Sequence, residues 1–83
     1  MSGTTQNSMG FGQLRKGMRA RILSMPSDSS TLQRIQEMGL TVGTSFRVVK
    51  VAPLGDPVEI DVRGYRLCLR RAETKGIEVE RIP

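Results

Sequence analysis

The chain has 83 residues, a net charge of +5, one cysteine and no histidine. A chain of this length has room for a single core. The lone cysteine excludes an internal disulfide framework and favours a reducing compartment, and the lack of histidine excludes the usual zinc ligand sets and any Ser-His-Asp triad. We therefore expect one small cytoplasmic domain that is not an enzyme and holds no cofactor and no tightly bound metal.

The first predicted elements are a tail and a strand. Residues 1–10 are uncharged and lack an apolar run, which predicts a disordered tail ahead of a domain at 11–83. Apolar and arginine side chains alternate over residues 18–25, as in a half-buried strand. Pro26 ends this strand because proline cannot donate a ladder hydrogen bond. The polar residues 27–30 then form a linker.

A single short helix is predicted at 31–38. Apolar side chains recur there at intervals of three and share one helix face: Leu32, Ile35 and Met38. Gly39 follows at once, where a chain that leaves a helix favours a left-handed residue. With Gly39 at the C′ position, Leu40 and Ile35 form the apolar pair of a Schellman motif.

The second strand, at 44–52, is the longest. Its apolar side chains change phase near Val48 and Val49, which predicts a bulge at that point. The loop at 52–57 contains two prolines and a glycine, and we expect it to be stiff.

The last three strands are predicted at 58–62, 65–70 and 77–82. The first two form a hairpin through Arg63 and Gly64. In the returning arm, the side chains expected to point inward are Tyr65, Leu67 and Leu69. Five short strands, with one helix between the first and the second, predict a mainly β fold that forms a small, partly open barrel.

Two functional alternatives depend on charge. Asp56, Glu59 and Asp61 form an acidic cluster that could bind a divalent cation in a sensing module, although pairing with Arg66 and Arg70 on a solvated strand face is the simpler interpretation. The net charge of +5 admits a small nucleic-acid-binding barrel. No aromatic side chain alternates with the arginines, however, so we expect no nucleic acid partner.

The third alternative is a module that binds another protein through its surface. Apolar side chains that the strand and helix phases leave unburied are the candidates for contact: Leu23, Met38, Leu40 and Leu54. The stiff loop adds Gly55 and Asp56 to this contact surface. An exposed barrel edge also allows self-association into a homo-oligomer.

The motifs at 37–43 (Glu-Met-Gly-Leu-Thr-Val-Gly) and 51–57 (Val-Ala-Pro-Leu-Gly-Asp-Pro) resemble the FeoA family, ferrous iron transport protein A. The resemblance continues through the alternating hairpin at 58–71 and also covers 14–22. One departure is Val42, where the family usually has proline.

The resemblance implies an SH3-like β-barrel in the cytoplasm. It also implies an accessory role in bacterial ferrous iron uptake, through contact with the cytosolic GTP-binding region of the membrane transporter FeoB. On this interpretation the protein regulates its partner and meets the membrane only through it. The contact residues would be those predicted above, with Met38, Leu40, Leu54, Gly55 and Asp56 as the set.

Overall fold

Six strands and one helix make up the fold in the computed structural model, which describes residues 8–26 and 30–83. The elements are β1 (Ser8–Gly10), β2 (Arg19–Ser24), α1 (Ser30–Glu37), β3 (Ser45–Val51), β4 (Val58–Val62), β5 (Tyr65–Leu69) and β6 (Glu78–Ile82), with 3₁₀ turns at Phe11–Gln13 and Arg71–Glu73. All strand pairs are antiparallel, in the order β1-β6-β2-β3-β4-β5. The mainly β prediction is confirmed, and the sheet is open, with β1 and β5 at its two ends.

Strand β1 corrects the prediction of a disordered tail over residues 1–10. Ser8, Met9 and Gly10 pair with β6, and the Ser8 hydroxyl donates to Glu78 Oε1 at 3.2 Å. Met9 also packs against the core. A three-residue strand has too few positions to show a period in the sequence. Its conformation is determined by the strand with which it pairs. Residues 1–7 of the predicted tail lie outside the described residues.

Helix α1 spans Ser30–Glu37, so it begins and ends one residue before the predicted bounds of 31–38. The Leu40 N–H donates to the Ile35 carbonyl at 3.3 Å, and the Gly39 N–H donates to the Gln36 carbonyl at 2.9 Å. Gly39 has a φ of 102°. These two hydrogen bonds and the left-handed glycine constitute the predicted Schellman motif. Residues 27–29 of the predicted linker lie outside the described residues.

The predicted bulge and hairpin both form. The register between β3 and β4 shifts between Val48 and Lys50, which is where the apolar phase changes. Strands β4 and β5 join through Arg63, with a φ of 54°, and Gly64, with a φ of 92°. Positive φ at both residues defines a type I′ turn, whose twist matches the twist of the strands.

The core lies between the inner face of the sheet and α1. Its fully buried members of largest volume come from four strands and from the segments that join them: Ile22, Leu40, Val48, Ile60, Val62, Ile77 and Val79. Leu40 is 0% exposed, so the prediction that it contacts a partner is wrong. The Schellman motif returns the C″ residue towards the helix, and here that return buries Leu40 beneath the helix end.

Candidate interaction surface

The end of helix α1 is tied to the first residue of β5. The Tyr65 hydroxyl donates to the Met38 carbonyl, and a Cβ added to Gly39 would collide with that hydroxyl. Met38 and Tyr65 remain 41% and 39% exposed. The prediction that Tyr65 points inward is therefore wrong. Tyr65 shares the phase of Leu67, but it lies beyond the end of the core and reaches across the helix end instead.

A turn beside the helix end exposes two more apolar side chains. The Gly43 N–H donates to the Ile22 carbonyl at 2.8 Å, and the Ile22 N–H donates to the Thr44 carbonyl at 3.0 Å. These bonds hold the turn against β2, with Val42 59% exposed and Leu23 39% exposed. We call the four exposed apolar side chains around the helix end the helix-stop patch: Leu23, Met38, Val42 and Tyr65.

The loop between β3 and β4 presents the most exposed large apolar side chain of the described residues. Leu54 is 93% exposed. The Gly55 N–H donates to the Ala52 carbonyl at 2.7 Å, and Asp56 Oδ1 accepts from the Arg71 N–H at 2.9 Å. Gly55 and Asp56 are half-buried. They therefore shape the loop, and Leu54 provides its exposed apolar surface.

The predicted contact residues Met38 and Leu54 lie near opposite ends of β5. Tyr65 begins this strand and is bonded to Met38, whereas Leu69 ends it opposite Val58, the residue that follows the 52–57 loop. Five residues of extended chain span about 13 Å between the first and last Cα atoms. The two predicted contacts thus flank a single strand.

The three carboxylates of the acidic cluster have different partners. Glu59 forms an ion pair with Arg66 at 3.1 Å, Asp61 accepts from the Gly64 N–H at 3.1 Å, and Asp56 accepts from the backbone of Arg71. Within residues 8–26 and 30–83, no three acidic or cysteine side chains gather as metal ligands. The predicted pairing of Glu59 with Arg66 is confirmed, whereas Arg70 makes no ion pair with either acidic residue of β4.

The outer face of the sheet carries a row of charges across four strands. The register places Arg19 beside Arg47, Arg47 beside Asp61, and Asp61 beside Arg66. The two phenylalanines lie elsewhere, because Phe11 and Phe46 stack in the core with ring centroids 5.6 Å apart.

The sequence correctly predicted Met38, Leu54 and Leu23 as exposed. It missed Val42 and Tyr65, because the position of each residue in its turn or strand does not show that its side chain is exposed.

No helix in the described ranges is long and apolar enough to cross a membrane.

Residues 9–81 match the model of the FeoA domain family. A fusion protein of Porphyromonas gingivalis, Fe(2+) transport protein A joined to the Fe(2+) transporter FeoB, is 38% identical over 74 residues. The match covers 89% of this chain and 9% of the fusion protein. The chain therefore spans less than a tenth of that relative.

Solved structures of other proteins share the fold, among them the following two. A FeoA-like protein from Clostridium acetobutylicum matches with a TM-score of 0.83 and 29% identity, over 94% of this chain and 91% of the other. FeoA from Stenotrophomonas maltophilia, a prokaryotic SH3 domain protein complexed with zinc, matches with a TM-score of 0.73 and 26% identity, over 87% and 89% of the two chains. The predicted SH3-like fold is confirmed, with six strands in place of about five. Because the family model extends over nearly all of its length, the chain belongs to the FeoA family.

Proposed function

We propose that this protein is a cytoplasmic accessory protein of bacterial ferrous iron uptake, and that it acts by contact with the cytosolic GTP-binding region of a FeoB-type transporter. The observation that carries this proposal is the P. gingivalis fusion, in which a FeoA unit 38% identical to this chain shares a polypeptide with FeoB. A tether raises the effective concentration of one domain at the other to about the millimolar range. When two domains are not joined in one polypeptide, the contact surfaces alone supply the affinity.

The exposed apolar side chains support contact with a protein. Met38 and Leu54 are rigidly presented, because a Schellman motif holds the first and the Arg71–Asp56 hydrogen bond braces the loop of the second. Contact residues that are already ordered lose little conformational entropy when a partner binds. Leu40 has no part in this surface, and Gly55 and Asp56 contribute through the shape of the loop.

Replacing Leu54 with aspartate is expected to weaken association with FeoB while leaving the fold intact. A substitution at an exposed loop tip changes the free energy of unfolding by about 0.5 kcal/mol or less. Met38→Asp is expected to weaken association in the same way. The measurement is binding of each purified variant to the cytosolic region of the FeoB encoded in the same genome, with thermal unfolding as the check on folding.

Ser45→Asp is the matched control, because it adds the same charge at an exposed residue of β3, which lies two strands away from β5 in the sheet. Its association should equal that of the wild-type protein. If the wild-type protein does not associate with FeoB, the proposed function is wrong. If both apolar variants associate as well as the control, FeoB contact stands and the placement of the surface is wrong.

We also expect the purified protein to carry no stoichiometric iron. The chain has no histidine and one cysteine, and the carboxylates of its acidic cluster have backbone or arginine partners. The check is elemental analysis of protein purified without chelators. One iron per chain would contradict this expectation and would favour the sensing module over a protein-contact role.

A further inference from the structure

Strand β5 leaves one edge of the sheet open. It is the last strand in the order β1-β6-β2-β3-β4-β5 and pairs with β4 alone. The strand at the other end, β1, has only three residues, whereas β5 has five. A free strand edge is a template to which a further extended chain can add.

The register shows which backbone groups of β5 point away from β4. In a hairpin with a two-residue turn, the residues that flank the turn exchange both backbone hydrogen bonds, and this pattern repeats at every second pair. The pair at the turn is Val62 and Tyr65, so Leu67 and Leu69 also bond to β4. The N–H and C=O groups of Arg66 and Cys68 therefore point to the open edge.

The open edge ends where the chain caps itself. The Arg70 N–H donates to Glu73 Oε1 at 2.9 Å, and the Arg70 carbonyl accepts from the Glu73 N–H at 2.9 Å. Both backbone groups of Arg70 are thus satisfied internally. Arg66 and Cys68 have no such partner among the backbone hydrogen bonds of the described residues. They offer two donors and two acceptors, which is the pattern that an added strand uses.

A groove runs beside this edge, between α1 and β5. Its volume is about 230 Å³, and the residues that bound it include Arg34, Ile35, Met38, Leu69 and the acidic Glu73. Met38, which bounds the groove, accepts a hydrogen bond at its carbonyl from the Tyr65 hydroxyl. An extended segment on β5 would direct alternate side chains into this groove, which gives specificity, while its backbone provides the hydrogen bonds.

The charges around the edge favour a segment that carries carboxylates. Arg34 and Glu73 both bound the groove, and Glu73 Oε1 already accepts from the Arg70 N–H. Arg66 in β5 and Arg70, which directly follows it, are exposed. Arg66 is paired with Glu59, but neither Arg34 nor Arg70 forms an ion pair within the part of the chain that the structure describes. Opposite charges on neighbouring strands stabilise their pairing.

The same charges disfavour a second copy of this chain on the edge. In an antiparallel β5–β5 pair centred on Cys68, Arg66 of each copy lies opposite Arg70 of the other. If the pair is centred on Arg66, the two copies of Arg66 lie directly opposite each other. In the intermediate register, centred on Leu67, the two copies of Arg66 are diagonal neighbours. Like charges at these positions destabilise strand pairing.

We propose that the open edge of β5 binds an extended, carboxylate-bearing segment of FeoB, which adds to the sheet as a seventh strand and places side chains in the groove beside Met38. This inference rests on the proposed function and assigns the contact to backbone hydrogen bonds of Arg66 and Cys68. It also explains why Met38 and Leu54, at the two ends of β5, could contact one and the same segment.

Amide hydrogen exchange of the wild-type protein tests the backbone contact directly. In the free protein, we expect the amides of Leu67 and Leu69 to be protected and those of Arg66 and Cys68 to exchange at least about tenfold faster, because only the first pair bonds to β4. With the cytosolic region of FeoB bound, all four should be protected. Unchanged exchange at Arg66 and Cys68 in the complex would overturn the proposal while leaving FeoB contact in place.

A proline at Cys68 tests the same hydrogen bond by substitution. Proline is tolerated on an edge strand where the lost N–H faces solvent. Cys68→Pro should therefore fold, as judged by circular dichroism, and bind FeoB about tenfold or more weakly, whereas Cys68→Ala keeps the N–H and should bind normally. Should Cys68→Pro fail to fold, Arg66→Pro and the exchange pattern of the wild-type protein decide the question.

A pair of charge reversals tests the stated chemistry of the segment. Arg34→Glu should weaken binding about tenfold, and Arg15→Glu, an equal change of charge at an exposed residue before β2, should weaken it about twofold or less. Equal effects of the two substitutions would overturn the proposal that the segment carries carboxylates.

Light scattering tests whether the edge instead binds a second copy of this chain. A wild-type dimer that Cys68→Pro converts to a monomer would assign the edge to a second copy. If the wild-type protein does not bind FeoB in any assay, both the proposed function and this proposal fail.

Discussion

Replacing Leu40 with alanine is expected to lower the free energy of unfolding by about 2–5 kcal/mol, the range for leucine truncation in a packed core. Leu40 is 0% exposed and lies directly after the helix stop, where the segments around it are held by hydrogen bonds to Ile35 and Ile22. The surroundings therefore have little freedom to collapse into the space that the substitution leaves. Urea denaturation at 25 °C is the measurement, and the midpoint should fall without a change in slope.

Leu54→Ala is the matched control because it removes the same atoms from a side chain that is 93% exposed. Its effect should be within about 0.5 kcal/mol. A small domain has a total stability of about 5–15 kcal/mol, so the Leu40 variant can lose a large part of it. Equal midpoints for Leu40→Ala and Leu54→Ala would contradict the burial of Leu40. Such a result would indicate that Leu40 lies at the surface, as the sequence analysis predicted.

The second large effect is expected at Gly39. Gly39→Ala should lower the free energy of unfolding by about 2–3 kcal/mol, because an L side chain is strained at a φ of 102° and strained backbone costs about 1–3 kcal/mol. The new Cβ also collides with the Tyr65 hydroxyl. The tyrosine must then move and give up its hydrogen bond to the Met38 carbonyl.

A double-mutant cycle with Tyr65→Phe separates the two causes. The phenylalanine removes the hydroxyl, so Gly39→Ala should cost less in that background than in the wild-type protein, and the difference measures the collision together with the hydrogen bond that it breaks. Gly12→Ala is the control, since a Cβ at Gly12 meets nothing within 4 Å and its φ is not positive. A loss of stability at Gly39 no larger than at Gly12 would contradict the role of the left-handed glycine.

Local signals in the sequence predicted much of the fold. The Schellman motif, the bulge between Val48 and Lys50 and the type I′ turn at Arg63 and Gly64 each depend on a few neighbouring residues. Their chemistry therefore determines the local geometry, whatever the rest of the chain does. Strand β1 has no comparable signal. Its three residues are extended because β6 presents a complementary edge.

The set of exposed apolar side chains was predicted in part, for a physical reason. Leu54 was recognised because two prolines and a glycine place it at a loop tip. Leu40 and Tyr65 were assigned wrongly because strand and helix phases give the direction of a side chain, not the place where the core ends. The open edge of β5 depends on the order of strands in the sheet, and this order arises from contacts between residues far apart in the chain.

The exposed cysteine on the open edge makes the unmodified protein suitable for site-specific labelling. Cys68 is the one cysteine of the chain, it is a free thiol, and it lies on the outer face of β5 opposite Glu59. A maleimide fluorophore or a nitroxide would therefore attach at a single position without any engineered residue. Resonance energy transfer or paramagnetic broadening from that position could then follow, in real time, the proposed addition of a FeoB segment to this edge.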